Sequence, residues 1–185
     1  MEILQVEPNY EDHPSYGSGI RFTAADVRRA SYWSLLVTPT AGVTYGHFSL
    51  WAWASEGEPV GDAIRRQAEY TLEPWWSVLD TPGVQSMTIA RRYFESGKWW
   101  NLRPAQDLLA EQPGAHDARH FVAAAGTASR DWTIVYLPSG GGCAADPGRR
   151  NGHLGPLVRS AQWALGGRRA RGWRRRACVC RARCR

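Results

Sequence analysis

The chain has 185 residues, 43% of them hydrophobic, with a formal net charge of +6. This length suffices for one ordinary domain or one and a half small ones. Residues 143–185 hold 12 of the 23 basic residues and one of the 17 acidic residues, so residues 1–142 are net acidic. That distribution argues against specific nucleic-acid binding. No apolar run is long enough to span a bilayer, so no membrane partner is expected.

The first part of the chain predicts a strand followed by a helix. Residues 2–6 form an apolar run that should end as a strand at Pro8, which has no backbone N–H to donate. Thr23 and Asp26 have the spacing of a capping box, in which a hydroxyl cap is followed three residues later by an acid. A helix is therefore predicted from Ala24 to about Thr38.

A second strand and helix are predicted further along. Residues 43–53 are expected to form a strand that runs into a functional loop, and residues 74–79 a short helical turn. Pro82 and Gly83 should break that turn before an amphipathic helix over 84–96. The order strand, helix, strand, helix describes two βα units.

The pattern then becomes β-rich. Residues 99–112 are predicted to form an extended crossing segment. Residues 121–125 and 132–137 are apolar runs separated by a turn sequence, which is typical of a β-hairpin. Residues 101–142 are therefore expected to differ in character from the preceding part.

An ordered set of short motifs carries a family resemblance over residues 1–142. The motifs include Glu-Pro-Asn-Tyr-Glu at 7–11, Tyr-Gly-His at 45–47, Leu-Trp at 50–51, Trp-Trp at 75–76, Asp-Thr-Pro-Gly at 80–83 and Trp-Trp at 99–100. This set resembles the apiosidase-like glycoside hydrolases, followed by the start of a β-sandwich described as collagen-binding. The resemblance implies hydrolysis of O-glycosidic bonds in a plant-type polysaccharide by a longer parent enzyme with a retaining mechanism.

The resemblance also implies an architecture of the α/β class. Residues 1–100 would be the C-terminal part of an incomplete TIM (β/α)8 barrel, with strands seven and eight and their helices. Residues 101–142 would begin a truncated all-β sandwich. Outside the resemblance, the composition of 143–185 predicts a frame-shifted, disordered, Arg-rich tail. Six strands, and the acid/base carboxylate expected on the fourth, would lie upstream of Met1. The chain alone is therefore expected to be inactive.

Glu7 is the predicted catalytic residue. The resemblance places it at the end of strand seven, where barrel enzymes carry catalytic groups, and implies the role of nucleophile. The alternative is a solvated loop acid beside a proline.

Five further residues are predicted to bind substrate: Tyr10, Glu11, His47, Trp51 and Trp53. As alternate positions of one strand, the two tryptophans would share a face and form a sugar platform. The alternative is packing for Tyr10, Trp51 and Trp53, a structural hydrogen bond for His47, and an ordinary polar loop residue for Glu11. Trp75, Trp76, Trp99 and Trp100 are expected to pack between domains.

The sequence indicates no cofactor and no metal site. The five histidines lack ligand spacing with acids or cysteines, and Gly140–Gly142 has no phosphate-loop lysine. Carbohydrate is the expected partner of the parent enzyme. Oligomeric state and localisation do not follow from the sequence. A secreted or periplasmic parent stays open, because a missing N-terminus would remove any signal peptide.

The tail after Gly142 has the composition of a shifted reading frame. It is rich in arginine and contains all four cysteines. Back-translating residues 156–163 and moving the frame by one base permits Arg-Trp-Phe-Asp-Pro-Arg-Ser-Gly, which resembles the closing strands of the expected sandwich. The sequence supports two other functions less well than glycoside hydrolysis: a carbohydrate- or collagen-binding module, and non-specific attraction of nucleic acid by the arginines.

Overall fold

A computed structural model of the protein describes residues 3–56, 72–139 and 158–159. Among these residues, those up to Trp100, except 36–39, form one compact unit. Residues 36–39 and those from Asn101 onward form a second unit. Over the described residues, the fold is mixed α/β with two small sheets. No helix among the described residues is long and apolar enough to cross a membrane.

A two-stranded parallel sheet organises the first unit. Strand β1 (Ile3–Gln5) pairs with β2 (Thr40–Val43), and the register shifts between Ile3 and Leu4. Gly42 lies at this irregularity with φ 145°, and a Cβ there would come within 3.2 Å of Leu4 Cδ1. Side-chain-bearing residues rarely adopt this backbone conformation, so glycine is required. The predicted first strand is confirmed.

Helix α1 (Ala24–Leu36) connects the two strands and begins where the capping box predicts. The Thr23 backbone N–H donates to Asp26 Oδ2 at 2.9 Å, and the Asp26 N–H donates to Thr23 Oγ1 at 3.3 Å. Burial acts to raise the pKa of Asp26, but hydrogen bonds from Thr23 and Arg29 outweigh it and hold that pKa below its ordinary value. The reciprocal bonds satisfy N–H groups that the first helical turn leaves unpaired.

The predicted strand over 43–53 is wrong beyond Val43. The chain turns after β2 and forms the short helix α2 (Phe48–Trp51). His47 is the N-cap of this helix, and its side chain accepts a hydrogen bond from the Ser49 N–H. Alternating aromatic residues imitate the two-residue period of a strand, whereas the local cap selects a helix.

A longer helix, α3 (Pro82–Glu95), follows a 3-10 turn at Trp75–Val78. The turn ends at Val78, before the break predicted at Pro82 and Gly83, and both of those residues lie inside the first turn of α3. Proline is favoured at the first helical position, where its missing N–H costs no hydrogen bond. The helix itself is confirmed and starts two residues earlier than predicted.

The second unit contains the predicted hairpin. Strand β4 (Ala123–Gly126) pairs antiparallel with β5 (Thr133–Leu137), and both are buried along their length. Strand β3 (Arg103–Pro104) pairs with β4, and β6 (Val158–Arg159) pairs in parallel with β5. The extended segment predicted over 99–112 is broken by 3-10 turns at Trp99–Asn101 and Gln106–Leu108.

The core of this hairpin is formed by Val122, Ala124, Val135 and Leu137, with Leu109 packed against them. That the hairpin opens a collagen-binding sandwich stays a prediction, as do the domain bounds 1–100, 101–142 and 143–185. Apart from residues 158–159, the tail predicted to be frame-shifted and disordered lies outside the described residues.

Candidate active site

The candidate site lies at one edge of the β1–β2 sheet. The two strands are parallel, so the segments that follow them leave from the same edge. Glu7 comes two residues after β1, and His47 comes four residues after β2. Both segments belong to the same compact unit. Carboxyl ends of parallel strands are where α/β proteins place reactive groups.

Glu7 is solvent-exposed and has a hydroxyl partner. Tyr10 Oη donates to Glu7 Oε1 at 3.3 Å. Burial raises the pKa of Tyr10 above its usual value, and the adjacent Glu7 carboxyl group adds to this rise. The phenol therefore keeps its proton and remains a donor to Glu7. Because Glu7 is exposed, its carboxyl group is accessible to a ligand.

The ring of Tyr10 lies directly over Gly46. A Cβ built on Gly46 would come within 2.6 Å of Tyr10 Cδ1 and Cε1. Any larger residue at position 46 would displace the ring. Glycine at position 46 therefore leaves room for the Tyr10 ring, whose hydroxyl contacts Glu7.

Glu11 is buried, with 7% relative exposure, and three donors face its carboxyl oxygens. Tyr45 Oη donates to Oε2 at 2.5 Å, Thr81 Oγ1 donates to Oε2 at 2.6 Å, and the Gly83 N–H donates to Oε1 at 3.0 Å. Burial raises the pKa of Tyr45, and the hydrogen bond to Glu11 adds to this rise. Glu11 therefore joins the two post-strand segments to the start of α3.

Glu11 caps helix α3 from a distant part of the chain. Thr81 occupies the N-cap position, but its side chain makes no capping hydrogen bond within the helix. The Glu11 carboxyl group instead accepts from Gly83, at the second helical position. A Cβ on Gly83 would lie 2.2 Å from Glu11 Oε2, so glycine gives the carboxyl group its access. An acid at a helix N-terminus is also favoured by the helix dipole.

The backbone of Glu11 strengthens the same junction. Its N–H donates to the Gly46 carbonyl at 2.9 Å, and its carbonyl accepts from the Phe48 N–H at 2.9 Å. These two bonds form an isolated parallel bridge between Glu11 and His47. The bridge extends the parallel pairing beyond the ends of β1 and β2.

His47 is buried, with 5% relative exposure. Its Nδ1 accepts from the Ser49 N–H at 3.2 Å, which leaves the proton of the neutral ring on Nε2. Burial lowers the pKa of His47, while nearby Glu11 and Asp12 act in the opposite direction. The neutral ring is therefore favoured over the imidazolium.

Trp51 and Trp53 do not lie on one strand, so the shared strand face predicted for them is wrong, while substrate binding by either residue stays a prediction. Trp51 ends α2, and its ring lies 6.1 Å from those of Phe48 and His13. Trp53 lies beyond the helix and stacks on Trp75, with ring centroids 4.7 Å apart and planes 16° from parallel. Each tryptophan has its own aromatic neighbours.

Comparison with known proteins identifies the family. A family profile described as "Apiosidase-like, catalytic domain" matches residues 1–101, which is more than half of the chain. The chain belongs to the apiosidase-like family. It has no match among curated proteins.

Two solved structures resemble this apiosidase-like chain. One, a protein titled "Glycoside hydrolase", is 25% identical with a TM-score of 0.60, and the match covers 74% of this chain and 28% of that protein. The other, a glycoside hydrolase family 5 protein from Bacteroides vulgatus, is 24% identical with a TM-score of 0.62, and the match covers 78% of this chain and 30% of that protein. The chain thus spans less than a third of either structure.

Tyr45, Thr81 and Gly83 donate to Glu11, a role that the sequence did not indicate for any of them. Thr81 followed by a proline is a helix-start signal, but nothing local indicates that an acid 70 residues earlier completes the cap. Within the described part of the chain, no group of three or more His, Cys, Asp or Glu side chains is arranged to hold a metal ion.

Proposed function

We propose that this chain supplies the last two βα units of an incomplete TIM barrel and carries the nucleophile of a retaining glycoside hydrolase. Three observations support this proposal. They are the two parallel strands with their connecting helix, the apiosidase-like match over residues 1–101 and the similarity to solved glycoside hydrolases. The observation that carries it is Glu7: an exposed carboxyl group, two residues past a parallel strand, with one hydroxyl donor. The substrate is a carbohydrate of the plant-polysaccharide class.

In the proposed reaction, Glu7 attacks the anomeric carbon and displaces the leaving-group oxygen. A retaining enzyme needs a second carboxyl group about 5–5.5 Å away, first to protonate that oxygen and then to activate water. Glu11 is unsuited to this task because it is buried and faces three donors. We assign the acid/base to a part of the longer parent enzyme outside this chain. The chain alone then does not turn over natural polysaccharide.

Tyr10 is the positioning residue for Glu7 in this proposal. Its hydroxyl holds one carboxyl oxygen and leaves the other for attack. We assign Glu11 and His47 to a supporting role, because their polar atoms bind the protein and hold the loops in place. Trp51 packs against the same loops, while Trp53 remains available to the substrate.

A substrate with an activated leaving group tests the nucleophile without the acid. Dinitrophenolate leaves without protonation, so a dinitrophenyl apioside should glycosylate Glu7 even when no acid/base is present. Because water attack then lacks its base, we expect a burst of about one equivalent of dinitrophenolate per chain, followed by slow release. Stopped-flow absorbance measures both phases.

The Glu7→Gln variant should lose the burst, with its rate falling by about three orders of magnitude or more. Glu95→Gln is the matched control, since Glu95 is an exposed acid at the far end of α3. A burst that persists in Glu7→Gln overturns the assignment of the nucleophile. Sustained turnover of a natural polysaccharide by the chain would contradict the missing acid/base.

A further inference from the structure

Trp53 combines three features that a packed tryptophan rarely has. Its side chain is 63% exposed. Its backbone has φ 50°, in the left-handed region that bulky residues avoid. Its ring lies flat on Trp75 rather than in a core. A positive φ on such a residue costs on the order of 1 kcal/mol or more, and the exposed ring offsets little of it by burial.

Backbone hydrogen bonds connect the two segments that carry the stacked rings of Trp53 and Trp75. The Trp53 N–H donates to the Leu50 carbonyl at 3.1 Å, and the Ala54 N–H donates to the Ser49 carbonyl at 2.9 Å. The Trp75 N–H in turn donates to the Ala54 carbonyl at 2.8 Å. These bonds tie the segment after α2 to the 3-10 turn that carries Trp75. The backbone at Trp53 is thus held beside the turn that carries Trp75, and the Trp53 ring lies flat on the Trp75 ring.

Trp75 is itself held from a second side. The ring of Trp76 meets it edge-on, with centroids 5.7 Å apart and planes 83° from parallel. Edge-to-face and offset-stacked arrangements are the favourable geometries for aromatic rings. Trp75 therefore has little freedom to tilt and supports one face of Trp53. The opposite face is flat, rigid and apolar.

Such a face suits a sugar ring. The C–H groups of a sugar carry partial positive charge and lie favourably against the negative face of an indole. A rigid surface also loses little conformational entropy on binding. Trp53 follows β2 in the chain, within the unit whose parallel strands bring Glu7 to the same edge. A saccharide is therefore the occupant that both the chemistry and the position favour.

We propose that the Trp53–Trp75 pair is a saccharide-binding platform that holds a sugar unit of a polymeric substrate, separate from the unit that Glu7 attacks. Trp53 contacts the sugar, and Trp75 is the positioning residue that keeps the Trp53 ring in place. The inference rests on the proposed function, but it concerns binding and not bond cleavage. It implies that the substrate is an oligosaccharide or polysaccharide.

Binding of a soluble apiose-bearing pectin to the full chain tests the platform, with isothermal titration calorimetry giving Kd. Trp53→Gly removes the ring and also relieves the positive φ. We expect Kd to weaken at least about tenfold while the melting temperature holds or rises. Trp75→Ala should weaken binding similarly. Trp100→Ala is the matched control, because Trp100 is an exposed tryptophan of the same unit that is not part of the stack.

The possible outcomes separate this inference from the proposed nucleophile. The burst lost in Glu7→Gln is measured on a small glycoside, and the affinity lost in Trp53→Gly is measured on pectin, so either assignment can fail without the other. An unchanged Kd in Trp53→Gly, or no pectin binding by the wild-type chain, overturns the platform and leaves the Glu7 test unaffected. A fall in melting temperature in Trp53→Gly with unchanged Kd would mean that the stack is only structural.

Discussion

Two carboxyl groups four residues apart in the same loop have opposite surroundings. Glu7 is exposed and accepts one long hydrogen bond, from Tyr10 at 3.3 Å. Glu11 is buried and accepts from Tyr45, Thr81 and Gly83 at 2.5 to 3.0 Å. Both belong to the motif Glu-Pro-Asn-Tyr-Glu, so residue type alone does not distinguish them.

The different surroundings of the two acids suit them to different roles. Glu11 is suited to supporting the site, and Glu7 is suited to reacting with a substrate. A buried acid surrounded by donors stabilises the junction that it joins, and removing it leaves those donors without a partner. An exposed acid with free lone pairs contributes little to stability but can reach a substrate. In this chain, the buried acid Glu11 holds the loop on which Glu7, the proposed nucleophile, lies.

The same truncation at both acids should give the largest contrast in stability. Glu11→Ala removes the acceptor of three hydrogen bonds and should lower the free energy of unfolding by about 3 kcal/mol. Glu7→Ala, at an exposed position, should change it by less than about 0.5 kcal/mol. Urea denaturation followed by circular dichroism measures both. Equal losses would contradict the proposed division of roles.

Gly83 tests whether Glu11 and α3 act together. Gly83→Ala places a Cβ where the Glu11 carboxyl group lies and should cost about 2 kcal/mol of stability. In the Glu11→Ala background the same change should be neutral or slightly stabilising, because alanine is the better helix former. A double-mutant cycle measured by urea denaturation gives the coupling. Additive effects would mean that the Glu11–Gly83 contact carries no energy.

Tyr10→Phe should affect the exposed acid, Glu7, and not the buried acid, Glu11. Loss of the hydroxyl removes the hydrogen bond that orients Glu7, while the ring still packs over Gly46. We expect the burst rate to fall about tenfold, which corresponds to about 1.4 kcal/mol, with stability nearly unchanged. The burst assay of the Glu7 experiment serves as the measurement. A rate equal to that of the wild-type chain would remove Tyr10 from the mechanism.

His47→Asn should give the smallest effect, mainly a change in pH dependence. Because burial lowers the pKa of His47, the folded chain loses stability as the pH falls below about 6.5, the ordinary histidine value. Asparagine can still accept from Ser49 but does not titrate there, so stability should change by less than about 0.5 kcal/mol at pH 8. Between pH 5 and pH 8, the melting temperature should change less in the variant than in the wild-type chain. An equal change in both would mean that His47 does not cause the pH dependence.

Local signals predicted much of the fold. The apolar run at 2–6, the Thr23–Asp26 capping box and the two β-rich runs at 121–125 and 132–137 each correspond to an element near the expected position. In these cases the residues that define the element lie within the element or beside it. Such information survives in a single sequence.

One local cap and several contacts between distant segments explain what was missed. The alternating aromatic residues after Val43 fit a strand period, but the side chain of His47 begins a helix there. Thr81 and Gly83 lie 70 and 72 residues from Glu11, so no local pattern links them to it. The pairing of Trp53 with Trp75 has the same origin, since it depends on a tertiary contact between distant segments.

Covalent trapping of the nucleophile identifies the carboxyl group that attacks the sugar. A 2-fluoro apioside with a dinitrophenolate leaving group should glycosylate the chain and then hydrolyse very slowly, which allows the adduct to be located by peptide mass spectrometry. Because Glu7 is the proposed nucleophile, we expect the adduct on Glu7 in the wild-type chain and no adduct in Glu7→Gln. An adduct on Glu11 or another residue, or none in the wild-type chain, would contradict the assignment of Glu7 as the reactive acid.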